Sequence, residues 1–337
     1  MPEKGHDTSP AGCLVAQGQF VFSSLRLGVR EFVVSLTVPG YTVYERLGLG
    51  ARSSIWLVAD QRTGEQYALK RVIRRAVDDD RYMIQAQNDF EISSRLEHPN
   101  LRRSLDIRRI RKLFQIKELH IIMEYVDGRT LEQIGPLGTR GLLGVFIHVA
   151  RGLDALHQMG YIHTDIKPNN IMLATSGEVK IIDFGQSCPI GHVKGRIQGT
   201  PDYIAPEQIE KGAPLDQRTD VFNFGATLYW AITGRAIPTV MPSKKRKTGI
   251  DLVGPREAPL AHELNPNVPT ALSRLVADCC QRASKDRPSD MREVLYRLEV
   301  AQHVLEKNDA TLTGPVVTDG PDPASKALSS SPRGSSE

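Results

Sequence analysis

Cysteine is scarce in this chain: Cys13, Cys188 and the adjacent Cys279 and Cys280 are the only four in 337 residues. Their spacing fits no zinc site and their density no disulfide scaffold, so a reduced, intracellular and cytoplasmic protein is expected. Long apolar runs are missing as well. None approaches the roughly 20 residues that a membrane helix needs, and no membrane partner is expected. The opening MPEKGHDTSP is polar and contains acid, unlike a secretory leader. No internal repeat is visible, which argues against a solenoid. A strong charge of one sign is absent too. The formal net charge of +4 is too mild to imply a nucleic-acid partner.

What is present is concentrated in HTDIKPNN, residues 163–170, and DFG, residues 183–185. Phosphoryl transfer asks for an oriented hydroxyl, metal ions on the phosphates, and positive charge where negative charge spreads. Asp165 can accept a hydrogen bond from an incoming hydroxyl. Lys167, two residues on, can lie near the travelling group. Asn170 and Asp183 are hard oxygen donors of the kind that Mg2+ prefers. Upstream, YTVYERLGLGARSSIWLVAD alternates like a strand, turns at 48–53 and returns. Glycines at such a turn let backbone N–H groups approach phosphates. YALK then places Lys70 on the following strand.

These stretches together resemble a eukaryotic-type protein Ser/Thr kinase, whose pattern is His-Arg-Asp, four residues, Asn, then Asp-Phe-Gly. Thr164 stands where Arg is usual, so the resemblance is to a non-RD type. It covers about residues 41–305 and implies an α+β, two-lobe fold. A small antiparallel β-sheet lobe would span 41–123, a hinge 124–128, and a larger, mainly helical lobe 129–305. Residues 1–40 form an extension that could add an edge strand, and residues 306–337 read as a disordered tail.

By the same resemblance, ATP and Mg2+ lie between the lobes, and the substrates are proteins carrying Ser or Thr. The catalytic set is Asp165, Lys167, Lys70, Thr200 and an acid on a helix. The nucleotide meets Gly48, Leu49, Gly50, Ser53, Ile55, Ala68 and Lys70, with Met123, Glu124, Val126 and Met172 around the adenine. Asn170 and Asp183 hold the metal. Ser53 replaces the third glycine of the family loop. Glu207 of APE should pair with Arg287, and Asp220 should hold the catalytic-loop backbone.

The helix acid has two candidates. At a period of 3.6, Asp89 shares a stripe with Tyr82, Ala86, Ile92 and Leu96, whereas Glu91 falls with Asn88, Ser94 and Arg95 on a solvated face. The stripe favours Asp89, which is a methylene shorter than the usual glutamate. Residues 101–117, LRRSLDIRRIRKLFQIK, read as strands with a basic solvent face alternating with Leu105, Ile107 and Ile110. Helices are expected at 142–160, 270–283 and 290–307. The basic run at 244–247 resembles a nuclear localisation signal, a pattern common on loops.

Thr164 cannot supply a guanidinium to a phosphate on the segment after DFG, and Ser187 is the only hydroxyl residue between DFG and GTP. Activity independent of phosphorylation there is expected. A nucleotide-binding pseudokinase scaffold is the alternative in a different class. A small-molecule kinase would not need GTPDYIAPE, and a nucleic-acid module would rest on the basic stretches alone.

Overall fold

The computed structural model describes residues 36–238 and 258–312. Most of the 1–40 extension, the basic run at 244–247 and the tail beyond 312 lie outside those residues. Alternating apolar stretches build a sheet from β1 (Tyr41–Leu49), β2 (Ser53–Asp60), β3 (Gln66–Ile73), β4 (Ser104–Lys112) and β5 (Gln115–Glu124). Every pairing is antiparallel and the order is β1-β2-β3-β5-β4. β3 is therefore central. Lys70 pairs with Ile55 on one side and Ile121 on the other, which fixes its backbone on both edges. Helix α1 (Asp80–Ser93) lays Met83 and Ala86 against Val72, Leu119 and Ile121 to form the small core.

The reading of 101–117 as a basic solvent face over an apolar inner one needs correction. Leu105 and Ile110 are exposed, whereas Arg102 and Ser104 are 4% and 1% exposed. Register breaks between Ser104 and Asp106, and again between Ile110 and Arg111, re-aim the side chains of β4.

The larger lobe begins with β6 (Gly128–Thr130) and the short α2 (Leu131–Ile134), followed by α3 (Thr139–Gln158) and β7 (Tyr161–Ile162). Strands β8 (Ile171–Ala174) and β9 (Val179–Ile181) form a small sheet with β6, and β10 (Cys188–Pro189) pairs with β7. Helices α4 (Pro206–Ile209), α5 (Gln217–Thr233), α6 (Ala261–Leu264), α7 (Thr270–Cys279) and α8 (Met291–Leu312) complete it. The stripe Leu142, Phe146, Val149, Leu153 and Leu156 of α3 is buried as its period requires. Phe146 meets Phe224 of α5 edge-on at 5.2 Å. Helix α7 stops short of 283, and α8 runs past 306 to Leu312, into the stretch expected to be a tail. Among the described residues no helix is long and apolar enough to cross a membrane.

Candidate active site

Helix α3 delivers the chain through β7 into residues 163–170, and α5 anchors it from below. Asp220, fully buried, accepts from His163 N and Thr164 N at 2.7 Å each and faces His157 Nε2 at 2.8 Å. Those bonds hold Thr164 at φ +63°, a conformation that a β-branched residue rarely adopts unaided. Burial drives the His163 imidazole below its ordinary value, so it is neutral. Its ring packs against Phe184 at 5.4 Å and joins the two motifs.

Beyond this anchor three polar groups converge. Thr200 Oγ1 donates to Asp165 Oδ1 at 2.8 Å, and Lys167 Nζ donates to Asp165 Oδ2 at 2.6 Å and to Thr200 Oγ1 at 2.8 Å. Asn170 Nδ2 donates to Asp165 O at 2.9 Å, which turns its amide nitrogen inward and leaves the amide oxygen to accept a bond or ligate a metal. Ile182 N bonds Asn170 O at 2.9 Å, so β9 brings Asp183 alongside. Asp183, at φ +65°, keeps about half of its side chain in the open cleft.

Lys70 Nζ lies 2.8 Å from Asp89 Oδ2 and 3.3 Å from Asp183 Oδ1, joining the two lobes. Burial alone would lower the Lys70 ammonium, but Asp183 and Asp89 outweigh it and raise it. Lys70 in turn holds Asp183 well below the usual carboxylate range. Both groups therefore stay charged. Glu91, the other candidate acid, is exposed.

The short side chain of Asp89 is supported from behind by a residue the periodicity misplaced. Arg102 Nη2 donates to Asp89 Oδ1 at 2.8 Å, and Phe184 N bonds the same oxygen at 3.1 Å. Arg102 Nη1 reaches Ser104 Oγ at 3.3 Å and touches Met123 Sδ. Ser104 Oγ accepts from Ser93 Oγ at 2.7 Å. A polar network thus fills the space behind Met123, and every charge in it has a partner, as burial demands. The missing methylene of Asp89 was the available signal that a second cation was needed.

Asn88 was also misplaced on a solvated face. Its Nδ2 donates to the carbonyls of Phe184, Gly185 and Ser187 at 3.2, 3.3 and 2.9 Å, pinning DFG to α1. The glycine loop closes with Gly50 N on Ser53 O at 2.7 Å, and a Cβ at Gly50 would meet Ser53 Oγ at 2.7 Å. Arg52 Nε bonds Asp79 Oδ1 at 2.5 Å, tying the loop tip to the start of α1. Beneath the loop is a cavity of about 190 Å3 bounded by Arg52, Ser53, Lys70, Asp183 and Gln186. Gly48 and Ile55 lie at its strand roots and Leu49 is exposed. Ala68, Met123 and Val126 are buried, Met172 is half-buried, and Glu124 N is committed to Arg103 O at 3.0 Å.

Asn170 and Asp183 supply one amide and one carboxylate oxygen in the same cleft. Among the described residues no cluster of three or more His, Cys, Asp or Glu is placed to cage a metal. Such a sparse set suits Mg2+, which keeps waters and takes its remaining oxygens from phosphates. Farther along, Glu207 and Arg287 form a two-pronged ion pair, 2.7 and 2.9 Å, capped by Thr219 Oγ1 at 2.9 Å. It fastens α4, and with it the end of the loop that carries Thr200.

The model of the protein kinase domain family matches residues 41–304. A probable serine/threonine-protein kinase of Clostridium acetobutylicum is 25% identical over 282 residues, 81% of this chain and 41% of the relative. A probable serine/threonine-protein kinase PknB of Lactococcus lactis subsp. lactis is 27% identical over 265 residues, 76% of this chain and 41% of the relative. The chain thus spans about two fifths of the length of these curated relatives. The crystal structure of the Mycobacterium tuberculosis PknI kinase domain superposes with a TM-score of 0.61 at 25% identity, covering 79% of this chain and 98% of that one.

Proposed function

The chain belongs to the protein kinase domain family, and from that premise we propose that it transfers the γ-phosphoryl group of ATP to Ser or Thr hydroxyls of proteins. The observation that carries this reading is the convergence of Lys167 and Thr200 on Asp165, facing the Lys70–Asp183 pair. Asp165 accepts a hydrogen bond from the substrate hydroxyl, aims its oxygen at the γ-phosphorus and takes the proton as the new O–P bond forms and the bond to the β–γ bridging oxygen breaks, releasing ADP. Lys167 sets positive charge beside the oxygens of the group in flight. Lys70, held upright by Asp89, grips the inner phosphates, and the backbone of Gly48–Ser53 covers them. Asn170 and Asp183 are the groups that would hold Mg2+, which neutralises phosphate oxygens when bound. The Glu124 carbonyl and the Val126 amide are the main-chain groups offered to an adenine edge, between Ala68 and Met172.

Transfer in this reading does not await phosphorylation of the segment before Thr200. Ser187 is 3% exposed, and its backbone is tied to Phe184 O and Asn88. Ser187→Ala should therefore keep near-wild-type activity, and loss of transfer with the fold intact sinks that part of the reading.

The decisive assay uses labelled ATP, Mg2+ and a generic basic protein, comparing wild type with Asp183→Ala, followed by phosphoamino-acid analysis. Label on Ser or Thr with wild type only is expected. Nucleotide binding with no incorporation by wild type would instead indicate a scaffold.

A further inference from the structure

Thr164 leaves the catalytic loop without a cation ahead of Asp165, yet a cation stands there. The Lys194 ammonium donates to Thr164 Oγ1 at 2.6 Å and to Gln186 O at 3.1 Å. Thr164 Oγ1 itself donates to Gln186 O at 2.9 Å, so the three groups close a triangle. One corner reaches the reacting centre, where Gln186 Nε2 donates to Asp165 Oδ2 at 3.0 Å. Another is rooted in the core: Thr164 N bonds Asp220 Oδ1 at 2.7 Å, and Thr164 O accepts from Gln208 Nε2 at 2.8 Å.

Both acceptors of Lys194 are neutral oxygens. Taking an ammonium out of water for such partners is unfavourable unless other charge compensates. Burial does lower this ammonium from its ordinary value, while Cys188, Asp165 and Asp220 oppose that through space. Two carboxylates of the catalytic framework thus hold a cation that neither touches. The nearby Arg196 works against it. An ordinary surface lysine would keep its head in solvent; this one is drawn inward.

We propose that Lys194 is a positioning residue that clamps residues 187–199 onto the catalytic loop and, through Gln186, sets the carboxylate of Asp165. The segment is then ordered by a cation of its own, with no modification required. The proposal rests on the assignment of Asp165 as the group that orients the hydroxyl.

The test uses the full chain with Lys194→Met, which keeps the stem and removes the charge, Lys194→Arg, which restores charge, and Thr164→Val, which removes the acceptor. Lys194→Met should lower kcat by roughly 10- to 100-fold, the range that misplacement of a reacting group produces. The KM for ATP should stay within about twofold, because the nucleotide grip is untouched. Lys194→Arg should recover most of the rate. Thr164→Val should act in the same direction, and the Thr164→Val/Lys194→Met pair should be no worse than Lys194→Met alone, as expected of partners in one contact. Amide exchange over 187–199 should quicken in Lys194→Met while α5 stays protected. Wild-type kcat together with unchanged exchange overturns the clamp. Should Lys194→Met fail to fold, Lys194→Arg and Thr164→Val carry the same decision. If the wild type transfers no phosphate at all, the kinase reading fails, and the exchange comparison still decides the clamp.

Discussion

At the scale of single residues, the centre is set by how few charges are left unpaired. Asp89 is wholly buried and divides its two oxygens between Lys70 and Arg102. Removing one partner of a buried pair costs about 3–5 kcal/mol, mostly through the charge left behind. Arg102→Met should therefore lower stability by roughly that amount, measured by urea unfolding, and should depress kcat as Asp89 loses its second hold. A variant as stable as wild type would show that Lys70 and Phe184 N suffice for the carboxylate. Asp165, Lys167, Asn170 and Asp183 were legible in the sequence because the chemistry fixes both their type and their spacing. Arg102, Asn88, Gln186 and Lys194 were not. Each is polar, and periodicity assigns polar residues to solvent; their partners lie in other elements, out of view of any local window. The choice of Asp89 over Glu91 came from a face, and a face is local.

At the scale of elements, one contact fastens the loop that carries Thr200 and another sets helix packing. Burial alone would raise the Glu207 carboxyl, but hydrogen bonds and charge from Arg287 overcome this and hold it below its ordinary value. A carboxylate depressed on folding adds stability above its unfolded pKa and loses it as pH falls through the folded one. Wild type should thus lose stability more steeply below about pH 4.3 than Glu207→Gln, read from denaturant midpoints across pH 7 to 3. Parallel curves would mean that the pair contributes nothing pH-dependent. Helices α5 and α7 meet at Gly225, where an added Cβ would lie 2.5 Å from Cys279 Cβ and 2.9 Å from Cys280 Sγ. Gly225→Ala should destabilise by about 1–3 kcal/mol, although alanine is the better helix former. Thermal melting decides the sign. Helix existence was readable from apolar stripes, whereas this close approach was invisible because a glycine gives no hydrophobic signal.

At the scale of the whole molecule, the two lobes meet where Lys70 reaches Asp183, so the pocket is assembled only when both are in place. A ligand that binds the folded state at 100 times its Kd adds about 2.7 kcal/mol. ATP with Mg2+ should raise the melting temperature more than ATP with chelator, and Asp183→Asn should erase the difference. An equal shift under both conditions would remove the metal from the account. The lobe order followed from motif order along the chain, whereas the strand order β1-β2-β3-β5-β4 came only with the structure. The one-sided tether of the glycine loop did not follow either, since Arg52 and Asp79 are separated by 27 positions and no local pattern links them. That tether has a kinetic meaning. With the hairpin tip bonded to the root of α1, lifting the roof must either break the Arg52–Asp79 pair or pull on the helix that carries Asp89. In the proposed transfer, a pull on α1 would link nucleotide release to loosening of the Lys70–Asp89 pair. Added viscogen should accordingly slow turnover of wild type and slow Arg52→Ala less.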